Sequence, residues 1–194
     1  MGEGNASAAL VEAVRRGDAD ARARLVDEWL PVVLRWCTCL GGPLVDPEDA
    51  AHDVLVLALT RLDGLREPAH LPAWLFGVTR RVLARHRRSR WLRSWMPGAT
   101  AELVDASDTP QRRRERDELT ERVQAVIDRM PWDLREVLVL SVVEERPQDE
   151  VMALLGVPLG TVKSRLRRAR VRFEQLARVA GLASDPTLLG GGEP

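Results

Sequence analysis

The chain has 194 residues, 45% of them hydrophobic and 30% charged, and its 29 basic and 29 acidic side chains cancel. That leaves room for one large domain or two small ones, with enough apolar content for packed cores. No uninterrupted apolar run approaches a membrane span and Met1–Asn5 lacks a charged-then-apolar signal pattern, so the expectation is a cytoplasmic chain with no membrane insertion.

Helical periodicity dominates and no alternating strand pattern stands out. A first helix is expected over Ala8–Arg16, with Leu10, Val11 and Val14 on one side and Gly17 as its breaker. A second follows from about Asp18 to Leu40, its apolar face built from Leu25, Trp29, Val32, Val33, Trp36 and Leu40. Pro31 should kink or divide it, because proline removes a ladder donor and crowds the preceding turn. Cys37 and Cys39 point in different directions at i and i+2, which disfavours a local disulfide. They read as small apolar helix residues, and any redox role stays open. With His52, His70 and His86 scattered, no zinc constellation forms, and no metal or cofactor is expected.

The third helix has the clearest start. Asp46 can cap it, Pro47 suits the first helical position, and Glu48 and Asp49 favour the positive end of the dipole. It runs through Val54, Leu55, Ala58, Leu59 and Leu62 to Gly64. A loop, Leu65–His70, leads to a fourth helix near Pro72, where Leu71, Leu75, Val78 and Val82 keep helical spacing and Trp74 falls beside them as a core residue. From Gly98 to Gln111 the composition turns to Ala, Thr, Ser, Asp and Pro, as in an inter-domain linker. Two more helices follow, on Leu119, Val123, Val126, Ile127 and Met130, then on Leu134, Val137, Leu138, Leu140 and Val142. The fold class is therefore all-α: two small helical domains joined by a flexible linker. The boundaries fall at 1–96, a linker at 97–116, a second domain at 117–180 and a tail at 181–194.

The zero net charge hides segregation. Pro68–Ala101 holds no acid but carries Arg80, Arg81, Arg85, Arg87, Arg88, Arg90 and Arg93. Val151–Phe173 likewise holds no acid and carries Lys163, Arg165, Arg167, Arg168, Arg170 and Arg172. Two basic helices point to two contacts with one polyanion. Lysine is almost absent, so the positive charge is nearly all arginine; either bidentate phosphate and guanine contacts or a GC-rich genome would produce that usage. The acidic helix with Glu48, Asp49, His52 and Asp53 points to a different, protein partner, or is only a capped and solvated face.

The second basic block follows a short helical pattern, Pro147–Leu155, and a turn, Gly156-Val157-Pro158. That layout is a helix-turn-helix. Val151, Leu154, Leu155, Val162 and Leu166 form its apolar side, which leaves Thr161, Lys163, Ser164, Arg167 and Arg168 outward. Residues near the start of the second helix would reach base edges and later ones phosphates.

The run Gly156–Arg170 resembles the promoter-reading helix of extracytoplasmic-function (ECF) sigma factors, and Met130–Leu140 resembles an earlier helix of the same domain. Asp46–Val54 resembles the family's polymerase-binding helix, and Ala73–Arg81 its next one. The blocks stand in the family's order. The resemblance implies a non-catalytic initiation subunit of bacterial RNA polymerase. Its partners would be core RNA polymerase, promoter DNA and an anti-sigma protein. It places polymerase contacts on Glu48, Asp49, His52 and Asp53. It places the minus-ten contacts on Arg66, His70, Arg80, Arg81, Arg85, Arg87 and Arg88, and the minus-thirty-five contacts on Thr161, Lys163, Ser164, Arg165, Arg167 and Arg168. The loop Leu65–His70 sits where the family captures a flipped base, though it also fits an ordinary helix connection. Trp91 and Trp95 could stack on single-stranded bases or pack against the linker. Arg81 and Arg85 replace the family's common Asn and Asp, which adds charge for backbone grip. A free-standing helix-turn-helix regulator and a purely structural helical adaptor are the competing classes.

Overall fold

The structure is a computed structural model that describes residues 3–94 and 112–182. Among the described residues every regular element is helical. The chain divides into two compact units.

The first unit contains α1 (Glu3–Arg15), α2 (Ala19–Gly41), α3 (Pro47–Arg61) and α4 (Leu71–Ser94), and it also takes in residues 149–157. Two helix starts follow the capping rule. The Asp18 carboxylate accepts from the backbone N–H groups of Asp20 and Ala21, and the Asp46 carboxylate from those of Glu48 and Asp49. The second start has Pro47 at its first position, as its sequence implies. Helix α2 stays one unbroken helix through Pro31, which is exposed, so the proline does not divide it. It ends at Gly42, whose φ of 80° suits glycine alone without strain.

The core of this unit is an apolar layer in which α2 packs on α3 and α4, and α3 on α4. Val33, Trp36, Cys37 and Leu40 of α2 are fully buried, as are Val54 of α3 and Leu71, Leu75, Phe76 and Leu83 of α4. Trp36 meets Phe76 edge-to-face at 5.0 Å and tilts against Trp29 at 6.4 Å. Such pairs add about 0.5–1.5 kcal/mol beyond area burial. Trp74 is a correction: it is partly exposed, and Phe76 fills the core instead. Periodicity places both near the apolar stripe, but the position of Trp36 selects Phe76.

Between α3 and α4 the chain makes two 3-10 turns, Leu62–Gly64 and Pro68–His70. Helix α1 packs against both.

The second unit contains α5 (Arg112–Asp128), α6 (Trp132–Leu138), a π-helical segment (Val139–Val143) and α8 (Leu159–Val179). The helix expected to continue through Val142 thus widens into a π turn after Leu138, and Glu145 follows with a φ of 52°. Helix α8 packs on α6 and α5. Its buried side is Val162, Leu166, Ala169, Phe173 and Ala177. Arg122 of α5 donates to the carbonyls of Ala180 (3.1 Å) and Gly181 (3.2 Å), beyond the C-terminus of α8. A cation there also complements the helix dipole.

This unit also buries charge. Arg135 is 6% exposed and Glu136 1% exposed. The Arg135 guanidinium donates to the Asp128 carboxylate (3.4 Å), to the Asp128 carbonyl and to the Met130 carbonyl (3.4 Å). It also lies 5.9 Å from the Trp132 ring centre. Burial pushes the Asp128 carboxyl above the usual range and the Arg135 guanidinium below its own. For each partner the cost of desolvation outweighs the mutual attraction.

Helix α7 (Gln148–Leu155) starts one residue after Pro147 and buries Val151, Leu154 and Leu155. The N–H groups of Gly156 and Val157 both turn back to the Met152 carbonyl. Gly156 has a φ of 65°, a left-handed value that an L side chain rarely adopts.

Of the expected linker, residues 97–111 lie outside the described residues, as do Trp95 and Met96 before it, while 112–116 already belong to α5. Residues 183–194 of the expected tail lie outside them too.

Candidate nucleic-acid interface

On α3, Glu48, Asp49 and His52 are exposed. They sit opposite the buried side formed by Ala50, Ala51, Val54 and Leu55, so helical geometry alone turns them outward. Asp53 is different. Its Oδ2 accepts from Arg85 Nη2 at 2.6 Å and from His86 Nε2 at 2.8 Å, both on α4. The hydrogen bond from His86 and the Arg85 charge hold the Asp53 carboxyl below the usual carboxylate range, against an opposing push from burial. Two residues expected to face different partners, Asp53 and Arg85, are thus brought together.

Helix α4 divides along its length. Its first half is buried on Leu71, Leu75, Phe76, Val78 and Val82. Thr79 is wholly buried there and satisfies its hydroxyl on the Leu75 carbonyl at 3.0 Å. Past this base the arginines emerge. Arg81, Arg85 and Arg88 are exposed, and Arg80 and Arg87 are partly exposed. Trp91 lies on the same helix. In the preceding loop, Arg66 and His70 are exposed. His70 Nδ1 lies 3.4 Å from Glu67 Oε2, with both side chains largely in solvent.

Helix α8 opens at Pro158, whose carbonyl accepts from Thr161 (2.8 Å) and Val162 (3.1 Å). Lys163, Ser164, Arg167 and Arg168 are exposed, and Thr161 is partly exposed. The Ser164 hydroxyl donates to the Thr161 carbonyl at 3.0 Å. Arg167, Arg168, Val171, Arg172 and Gln175 line a shallow open groove along the helix. Arg165 is set apart: it is 25% exposed, and its Nε lies 3.7 Å from the Asp133 carboxylate of α6. That places it at the edge of the packed face rather than on the open one.

Three contributors escaped the sequence reading. His86 and Asp133 lie far along the chain from their partners Asp53 and Arg165, so no local pattern marks them. Arg15, at the end of α1, donates to the carbonyls of Leu62 (3.2 Å) and Leu65. Its i,i+3 partner Glu12, at 2.7 Å, was the only signal available in sequence. Among the described residues no cluster of three or more His, Cys, Asp or Glu side chains could hold a metal ion. No helix there is long and apolar enough to cross a membrane.

An acid-bearing helix thus stands beside an arginine-bearing one, and a second basic helix follows a tight turn. Residues 25–93 match Sigma-70 region 2, and residues 120–173 match Sigma-70, region 4. The second match takes in α7 as well as most of α5, α6 and α8. The chain is 28% identical over 153 residues to the ECF RNA polymerase sigma factor EcfG of Rhodopseudomonas palustris, covering 78% of this chain and 82% of that one. The solved structure of CnrH with the cytosolic domain of CnrY aligns with a TM-score of 0.65 at 24% identity, covering 90% of this chain and 98% of that one. The sigma factor RpoE with the anti-sigma factor NepR from Bartonella quintana aligns with a TM-score of 0.59 at 22% identity, covering 81% and 96%. This chain belongs to the ECF sigma factor family, and its function is promoter-specific transcription initiation.

Proposed function

We propose that the exposed carboxylates and imidazole of α3 (Glu48, Asp49 and His52, with Asp53 at their edge) dock on a basic surface of core RNA polymerase. The arginines of α4 and the loop bearing Arg66 and His70 then grip and open the minus-ten element. Lys163, Ser164, Arg167 and Arg168 of α8, with Thr161 at its start, enter the major groove of the minus-thirty-five duplex, and Arg165 supports them from its site beside Asp133. Residues 1–96 carry the first role and 117–180 the second, with 97–116 as the connection. The subunit is non-catalytic and works in the cytoplasm. An anti-sigma protein is its third partner, a reading supported by the likeness to RpoE captured with NepR.

One observation carries this reading. Both basic helices are buried on one side and bare on the other, and Arg81, Arg88, Arg167 and Arg168 all lie on bare sides. Such helices suit phosphate neutralisation, with base readout near the start of α8. The test is reconstitution with core polymerase, followed by transcript start mapping on fragments of the source genome. Discrete starts sharing two upstream motifs are expected. No transcript from any fragment would overturn the proposal.

A further inference from the structure

We infer that Arg15 is a positioning residue for minus-ten base selection, acting through the loop that carries Arg66 and His70. The inference rests on the reading of that loop as the base-capture element.

Arg15 is the last residue of α1, and its side chain is only 21% exposed. Its guanidinium is used as a fork. Nη1 donates to Glu12 Oε1 at 2.7 Å, which fixes one edge of the plane. Nη2 donates to the Leu62 carbonyl at 3.2 Å and to the Leu65 carbonyl. Those two carbonyls bracket the turn that leads out of α3, and Leu65 N–H returns to the Leu62 carbonyl at 3.0 Å. The side chains of Leu62 and Leu65 are buried at 4% and 3% exposure. The next residue, Arg66, is exposed, and so is His70 four residues further on. The loop is therefore anchored at its root by two leucines and one guanidinium, and it presents its polar residues from that root.

Helix α1 lies outside residues 25–93, the part matched to Sigma-70 region 2. The loop is thus shaped by an element that the matched segment does not contain. A lysine could keep the charge but not the planar fork that serves Glu12 and both carbonyls together. Base capture requires the pocket to hold an unstacked base, so a displaced root should blur which base fits before it weakens overall grip.

The test uses the full chain with core polymerase and a promoter panel carrying each base in turn at every minus-ten position. The proteins are wild type, Arg15→Ala, Arg15→Lys and the loop double variant Arg66→Ala/His70→Ala. Both Arg15 variants should lower discrimination between best and worst base by about tenfold, the scale of one good base contact. Core affinity and upstream duplex affinity should stay at wild-type values. If the loop variant loses discrimination and both Arg15 variants keep it, the inference is overturned and the loop reading stands. If the loop variant keeps discrimination, the loop reading itself fails. Should Arg15→Ala unfold, Arg15→Lys decides alone. A parallel loss of core affinity in the folded Arg15 variants would mark a general structural role and also overturn the inference.

Discussion

The two domains present similar basic helices on unlike foundations. Helix α4 rises from an apolar layer with Trp36 and Phe76 at its centre, and one half-buried carboxylate, Asp53, tethers its arginine end. Helix α8 lies on α6, whose own placement depends on the buried Arg135–Asp128 pair. In the first domain charge is added at the surface over a neutral core. In the second, charge is part of the core. The two carboxylates consequently shift in opposite directions, Asp53 downward and Asp128 upward. The hydrogen bond from His86 leads at Asp53, where water remains, and desolvation leads at Asp128, where it does not.

Four measurements would break or sharpen that contrast. Trp36→Ala should have the largest effect, about 3–5 kcal/mol lost from the N-terminal domain by truncation of a fully buried aromatic. Denaturant unfolding followed by Trp fluorescence from the other indoles, together with circular dichroism, would read it. Arg135→Ala should cost the C-terminal domain about 3 kcal/mol, because Asp128 would be left partly buried without its cation. A cost below about 1 kcal/mol would show that water already satisfies that pair. Arg167→Ala with Arg168→Ala should lower the salt slope of upstream duplex binding by about two, one for each lost phosphate contact. An unchanged slope would remove both residues from the interface.

The smallest effect concerns pH. Asp53 has a lowered folded-state value, so its contribution is present above the ordinary carboxylate range and fades as pH falls through the folded value. Asp128 has a raised value, so its contribution is fully present at low pH and is lost as pH rises through that value. Asp53→Asn should therefore destabilise at pH 7 and approach neutrality only as pH falls below the lowered folded-state value. Its cost should stay below about 1 kcal/mol, since the pair is largely solvated. Asp128→Asn should become relatively more favourable as pH increases. Parallel slopes for the two variants in urea midpoints would refute the contrast.

The helices were legible in sequence wherever their signals are local. The start of α3 could be placed from Asp46 and Pro47 because a cap and its proline act within one turn. The bare face of α8 could be placed because Val162 and Leu166 mark its opposite side. Pro31 misled in part. An exposed proline can sit within a helix that neighbours hold in place, and tertiary packing of α2 on α3 and α4 outweighs the lost donor. Trp74 misled because a stripe one residue wide cannot say which flanking aromatic turns inward. The tether from Asp53 to Arg85 and His86 was not legible at all. Its partners are 32 and 33 residues apart, and only the α3–α4 packing brings them together.

Cys37 is fully enclosed, and burial pushes its thiol up to about 12, while Cys39, two positions on, keeps some contact with solvent. Alkylating agents and peroxide attack the thiolate form, which Cys37 scarcely populates at neutral pH. A maleimide dye added to the native fold should thus mark the second sulfur alone, giving a single optical reporter on α2 without any engineered cysteine.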